Sequence, residues 1–318
     1  MIKNYNVSCV ITTYNSDLNK TLATIKSFLI QKNCNIQLVI TDDGSRNNNF
    51  DEIEKFLDKE DFSNYILVGH EKNQGTVKNC ISGLERCSYD YVKGLSPGDF
   101  LSSDDVLCHW VEFMEKTHSV VSFSDAIYYS VEDKEIILHK KKANPQYYKN
   151  WNNRNSLINQ YFKIVDNALG ATPLVNTKIF LKYLRMIDNK VKYTEDSIFF
   201  VMVALGEKFS FFEKATIYYE YGTGISTKGD DKWKAIIYEE CKIARNMLLT
   251  LPEVDSKLKQ WLIKQEQLKN YNEIFRRIYQ FILTPSLFVY KIKYKLFPRY
   301  TSQHMTVDYV KSMLNLLN

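Results

Sequence analysis

The chain has 318 residues, 45% of them hydrophobic and 14% aromatic, which supports a sizeable core but is too short for three average domains. Its 42 Lys and Arg against 37 Asp and Glu leave a formal charge of +5, too mild a balance to indicate nucleic-acid binding. The six cysteines form no Cys-x-x-Cys pair, no apolar run is long enough to span a bilayer, and the opening MIKNYNVSCVITTYN reads as a strand rather than a leader. Reduced core thiols and a cytoplasmic protein are therefore expected.

Val7 to Ile11 predicts a buried strand, and Leu18, Leu22, Ile25 and Leu29 follow at helical spacing behind Ser16 or Asp17 as N-cap. Ile36 to Ile40 predicts a second strand, followed by a polar stretch and an amphipathic helix over 50–57. Tyr65 to Val68 is a third strand, Val77, Ile81 and Leu84 mark a helix, and Tyr89 to Leu95 is a fourth strand. This alternation predicts an α/β fold with a doubly wound, mostly parallel sheet and right-handed crossovers. Strands are expected again near 120–123 and 135–139, a helix near 179–184, another over 195–205, and two strands at 209–212 and 217–221. From Asp230 the pattern is helical, interrupted by Pro252, Pro285 and Pro298. The division is drawn between a domain at 1–228 and a helical C-terminal region at 229–318.

In an open sheet of this kind, ligands bind beyond the carboxyl ends of the strands. Thr12–Asn15, Asp42–Ser45, Asn73–Gly75 and Ser96–Asp99 follow the first four strands, so four polar segments are expected on one rim. Neither G-x-G-x-x-G nor a Walker lysine motif is present, which argues against dinucleotide and P-loop chemistry. A rim of carboxylates and small residues suits a nucleotide held through a divalent metal. The five histidines are scattered and form no catalytic or metal spacing.

The series VITTYN (10–15), TDDGS (41–45), NQG followed by KN (73–79), LSPGD (95–99) and TED (194–196) runs in order over about 5–225. It resembles the family 2 glycosyltransferases with the GT-A fold. The resemblance implies a metal-dependent, inverting glycosyltransferase that moves a sugar from a UDP-sugar to a saccharide or lipid-linked glycan acceptor. Capsule, cell-wall and glycoprotein glycan synthesis are the processes it implies. By the same resemblance Thr12, Thr13 and Tyr14 line the uracil, with Asn15 beside them. Asp42 or Asp43 accepts from the base N–H, the plain alternative being a turn at a strand exit. Lys78 stands where many relatives carry arginine, supplying a cation near the nucleotide.

The metal motif departs from the family pattern: an Asp-x-Asp-Asp cluster is reduced to Ser96–Pro97–Gly98–Asp99. Gly98 shapes this donor segment, and Asp99 is the expected ligand of Mn²⁺ or Mg²⁺. Ser102 or Ser103 with Asp105 reads as a helix cap. Asp196 would be the general base and Glu195 its acceptor-orienting neighbour. The alternative is a solvated first helical turn, where the helix dipole favours acids. The stretch 221–226 resembles a mobile loop over the donor diphosphate, with Gly224 and Ser226 in the donor set. It lacks the histidine that many relatives place there. This lack and the thinned metal motif motivate a competing reading, a non-catalytic GT-A-like binding or scaffold subunit.

Between Ile274 and Tyr300 there is no acid, while Arg276, Arg277, Lys291, Lys293, Lys295 and Arg299 are interleaved with aromatic and aliphatic residues. Two readings stand side by side. In one, 274–300 contacts the inner face of a membrane. In the other, it packs on the catalytic domain or on a second subunit in a homodimer.

Overall fold

The structure, a computed structural model, describes residues 3–133, 135–148, 150–224, 230–301 and 307–314. Strands β1 (Tyr5–Thr13), β2 (Cys34–Asp42), β3 (Tyr65–Gly69) and β4 (Tyr91–Leu95) run parallel in the order β3-β2-β1-β4. Thr13 pairs with Asp42, and Asp42 with Gly69. The motif-bearing ends of three strands therefore stop at one level, and this in-register pairing builds the rim.

Alternate residues of each strand enter different cores. Val7, Cys9 and Ile11 of β1 pack with Leu38 and Ile40 of β2 on one face, while Val10 and Val39 point to the other. Burial on both faces is what makes these strands read as continuous apolar runs. Helices α1 (Leu18–Leu29) and α2 (Phe50–Lys59) cover the first face, and α3 (Thr76–Leu84) covers the second. The N-cap of α1 is Asp17, whose carboxylate accepts from Lys20 N at 3.0 Å. Ser16 instead accepts from Tyr14 N.

The chain continues through β5 (Phe100–Leu101), α4 (Val106–Thr117), β6 (Val121–Glu132), β7 (Glu135–His139) and α5 (Arg154–Ile158), which runs into a π-helical turn at 159–164. β8 (Leu174–Asn176), α6 (Thr177–Ile187), a 3₁₀ turn (Glu195–Ser197), α7 (Ile198–Leu205) and β9 (Phe209–Glu220) complete this part. The sheet extends β4-β8-β6-β9-β5, with β7 beside β6. β8 is antiparallel to both neighbours, while β9 is parallel to β6.

Three expectations change in detail. The strands expected at 209–212 and 217–221 are one strand, because register shifts opposite Asp125 let exposed Glu213 and Lys214 bulge out without ending the pairing. The helix expected over 195–205 begins only at Ile198, after the 3₁₀ turn, and α7 is buried on every side from Ile198 to Ala204. Asp105 makes no capping bond; it accepts the Ser103 hydroxyl at 2.7 Å instead.

Five helices follow: α8 (Asp231–Thr250), α9 (Ser256–Leu268), α10 (Glu273–Leu283), α11 (Pro285–Leu296) and α12 (Val307–Leu314). Ala244 and Leu248 of α8 are buried, and Leu248 and Leu258 of α9 share the core that holds α7. Val310 and Met313 of α12 pack with Phe100, Tyr129 and Tyr218. The division drawn at 228/229 falls in residues 225–229, outside the described ones. Among the described residues no helix is long and apolar enough to cross a membrane. All six cysteines are free thiols.

Candidate active site

At the exit of β2 two buried carboxylates organise the rim. Asp42 accepts the hydroxyls of Thr13 (2.9 Å) and Ser45 (2.5 Å) and the Ser45 N–H (2.7 Å). Asp43 accepts the backbone N–H groups of Gln74 (2.7 Å) and Gly75 (2.8 Å), tying the β2 exit to the loop before α3. Each carboxylate keeps unused lone pairs, so both remain able to accept a further N–H. Gly44, which follows Asp43, has φ +75°, and a Cβ there would lie 2.5 Å from Lys72 C and 2.8 Å from Asn73 N. The two loops can touch only because this residue has no side chain.

Thr12 borders the cleft described below, Tyr14 and Asn15 stand exposed at the rim, and Lys78 is half-buried in the first turns of α3. The Asn15 N–H donates to Ser45 Oγ at 2.6 Å, and its side-chain oxygen accepts from Arg46 N.

Asp99 is the second focus. Its Oδ1 accepts from the Glu220 N–H at 2.9 Å, across 121 residues of chain. The Thr24 hydroxyl donates to the Asp99 carbonyl at 2.8 Å and accepts from Gly98 N at 3.1 Å, while the Tyr129 hydroxyl donates to the Gly98 carbonyl. Gly98 has φ +98°, and a Cβ there would meet Glu220 Oε2 at 2.6 Å. Burial pushes the Asp99 carboxyl up to about 7, opposed by the Glu220 N–H and by the positive charges of Lys93 and Lys20.

Lys93, fully buried in β4, donates to the carbonyls of Gly94 (2.8 Å) and Ala171 (2.9 Å), and burial brings its amine down to about 7. Glu220 pairs with Lys20 at 2.6 Å and accepts the Thr223 hydroxyl at 3.2 Å. Sequence reasoning missed Lys93, Lys20 and Glu220. For Lys93 and Glu220 the available signal was a charged residue inside an otherwise buried strand, as in YVKGL and IYYEY; Lys20, on α1, carried none.

A cavity of about 110 Å³ opens beside Thr12 and Asp99, and Asp42, Asp43, Lys20, Lys93 and Glu220 are not among its lining residues. Thr12, Ser96, Asp99, Gly170, Glu195 and Asp196 line it over an apolar floor that includes Val10, Val92, Phe180 and Phe199. The TED motif and the LSPGD segment, far apart in sequence, thus share one cleft. A Cβ on Gly170 would lie 2.5 Å from Asp196 Oδ2, so bare backbone admits that carboxylate. Burial, and next the charge of Asp196, push the Glu195 carboxyl up to about 8. Asp196 opens to the cleft, yet the surrounding protein raises its carboxyl as well.

Glu240 of α8 holds the segment that precedes this pair. Its carboxylate, nearly all buried, accepts the N–H groups of Lys192 (3.0 Å), Tyr193 (2.9 Å) and Thr194 (2.9 Å), and the Thr194 hydroxyl at 3.1 Å. On the other side Lys192 O accepts from Val77 N at 3.1 Å. Sequence offered no sign of this, since an acid on α8 looks like any solvated helix residue. Glu240→Gln turns a carboxamide NH₂ toward backbone donors. It is expected to cost about 1–3 kcal/mol of stability by urea unfolding and to lower turnover more than donor affinity.

Asp99 fits a divalent cation in one way. Among the described residues no three His, Cys, Asp or Glu side chains gather as a ligand set. The cleft-lining Asp99 carboxylate, with Glu220 beside it, is a hard-oxygen donor suited to Mg²⁺ or Mn²⁺ when phosphates and water complete the shell. Gly224 is half-buried four residues beyond the end of β9, and Ser226 lies outside the described residues.

Residues 8–175 match the family described as glycosyl transferase family 2. An uncharacterized glycosyltransferase of Rickettsia bellii is 24% identical over 64% of this chain and 27% of its own length. Another from Haemophilus influenzae is 30% identical over 42% of this chain and 51% of its own. The chain thus spans about a fifth to a half of the length of the curated relatives it matches. Among solved structures, S. aureus TarS 1-349 in complex with UDP-GlcNAc superposes with a TM-score of 0.56 at 17% identity, over 81% of this chain and 70% of that one. The mannosyltransferase PcManGT from Pyrobaculum calidifontis, in complex with GDP-Man and Mn²⁺, gives 0.57 at 10% identity, over 97% and 84%. At such identities the likeness is one of fold, and the fold is GT-A.

Proposed function

The chain belongs to glycosyl transferase family 2, and from that membership we propose that it moves a sugar from a UDP-sugar to a saccharide or lipid-linked glycan acceptor, with inversion. The observation that carries this reading is the meeting of Thr12, Asp99, Glu195 and Asp196 in one cleft. Thr12, Thr13 and Tyr14 would flank the uracil, with Asp42 or Asp43 accepting its N–H and Lys78 adding positive charge. Asp196 would take the acceptor hydroxyl proton as that oxygen attacks the anomeric carbon. The bond from that carbon to the diphosphate breaks, and UDP departs with the electron pair. Glu195, held protonated by burial, would donate a hydrogen bond to the acceptor and leave Asp196 as the ionised partner.

Asp99 would hold Mn²⁺ or Mg²⁺, which when bound neutralises charge on the leaving diphosphate. The UDP-GlcNAc complex of TarS supports the donor class, and the Mn²⁺ complex of PcManGT supports the metal. We place the acceptor in capsule, cell-wall or glycoprotein glycan synthesis, on the cytoplasmic side of the membrane.

Calorimetric titration of UDP with and without Mn²⁺ tests the reading. Metal-dependent binding, weakened at least tenfold in Asp99→Ala, is the expected result. Binding of GDP, CDP or dTDP in place of UDP would move the donor class. The lean ligand set around Asp99 favours a second reading, a binding or scaffold subunit. Donor turnover by the purified chain would eliminate it.

A further inference from the structure

Helices α10 and α11 form a hairpin closed by the edge-to-face contact of Phe281 and Phe288, whose ring centroids are 4.7 Å apart. Neither helix contributes a buried side chain. In α10, Ile274, Ile278, Phe281 and Ile282 fall at i, i+4, i+7 and i+8. In α11, Val289, Ile292 and Leu296 fall at i, i+3 and i+7. Each set occupies one helix face, and all seven are more than half exposed. The opposite face of α11 is moored to the body: Tyr290 meets Tyr147 edge-on at 5.7 Å, and Lys142 Nζ sits 4.4 Å over the Tyr294 ring. Beyond α11 the Arg299 guanidinium bonds Asp125 and the Pro145 carbonyl and lies 4.9 Å over Tyr148. The apolar stripe of α11 is therefore held outward by a fixed attachment.

We propose that this hairpin docks on the surface of an anionic lipid bilayer. Exposed Lys293 and Lys295 lie on either side of the α11 stripe, exposed Lys291 lies further round the helix, and no acid occurs from Ile274 to Tyr300. Apolar residues flanked by lysines whose stems run toward a headgroup layer are the pattern of an interfacial helix. Neither helix is long enough to cross, so the contact lies in the plane of the surface. A two-fold contact between copies through this face would oppose two sets of lysines with no acid within the stretch to pair them, which favours lipid over a second copy. The inference does not rest on the transferase reading.

Vesicle co-sedimentation of the full chain tests it, with phosphatidylcholine alone against about three parts phosphatidylcholine to one part phosphatidylglycerol. Binding at least tenfold stronger to the anionic vesicles, and weaker at high salt, is expected. Ile274→Ser/Ile278→Ser/Ile282→Ser should weaken it at least tenfold. Lys291→Gln/Lys293→Gln/Lys295→Gln should weaken it on the order of a hundredfold. Both variants change exposed residues, so unaltered circular dichroism and thermal midpoint accompany the expected result. Two results overturn the proposal. One is equal or absent binding to the two vesicle types. The other is a dimer by sedimentation velocity that the triple-serine variant converts to monomer.

Discussion

Asp196→Asn is expected to lower kcat by about 10²–10⁴-fold, the usual contribution of a positioned general base, while UDP affinity stays within a factor of two. The substitution preserves shape against Gly170, whose bare backbone accommodates the side chain, so the fold is unchanged. The neighbouring acid cannot take over. Burial, the larger cause of the raised Glu195 carboxyl, is unchanged by the substitution and still disfavours the ionised form that a base requires, while the added push from the Asp196 charge is removed.

The pH dependence follows from the same pair. Asp196 is itself raised, so with the metal saturating, wild-type kcat/KM should climb with pH through that raised value, and this part of the climb should vanish in Asp196→Asn. Stability moves the other way. Glu195 binds a proton in the folded state between 4.5, its ordinary value, and about 8, where the unfolded chain does not. Wild type should therefore lose stability relative to Glu195→Gln as pH rises through that window and level off above it. Urea midpoints at pH 5 and pH 9 check the sign. A gap that does not change would place Glu195 in an ordinary solvated turn.

Gly44→Ala is expected to destabilise by on the order of 3–5 kcal/mol and to abolish measurable donor binding. A side chain at φ +75° costs about 1–2 kcal/mol by itself. The added Cβ would also collide with backbone at Lys72 and Asn73, and backbone cannot swing aside as a flexible side chain can. Separating those loops breaks the Asp43 bonds to Gln74 and Gly75, each a charged acceptor of about 1.5–3 kcal/mol. Gly44→Asn separates the two causes. Asn tolerates the left-handed region, so conformation alone would predict recovery. The close approach predicts that Asn is as harmful as Ala, and denaturant unfolding of the three proteins decides it.

What was legible in the sequence was local. The run VSCVI, a cap at Ser16 or Asp17, the DDGS exit and each of the five short motifs lie within a few residues, and side-chain periodicity and turn chemistry report such features directly. Because the parallel strands β1, β2 and β3 end in register, reading the strand exits was enough to place the rim, while the GT-A class was implied by the resemblance that the five motifs carry. Seen only in the folded chain were Glu220 beside Asp99, Lys93 under the cleft, Gly170 against Asp196 and Glu240 behind Thr194. These partners are separated by tens to more than a hundred residues. An isolated acid, lysine or glycine carries no mark of what it will meet. The same holds for the C-terminal hairpin: its charge and apolar content were plain in sequence, but only packing decided that Tyr290 and Tyr294 turn inward while Ile292 and Leu296 remain outside. Sequence determined which residues could line a site. Chain closure over long separations determined which of them do.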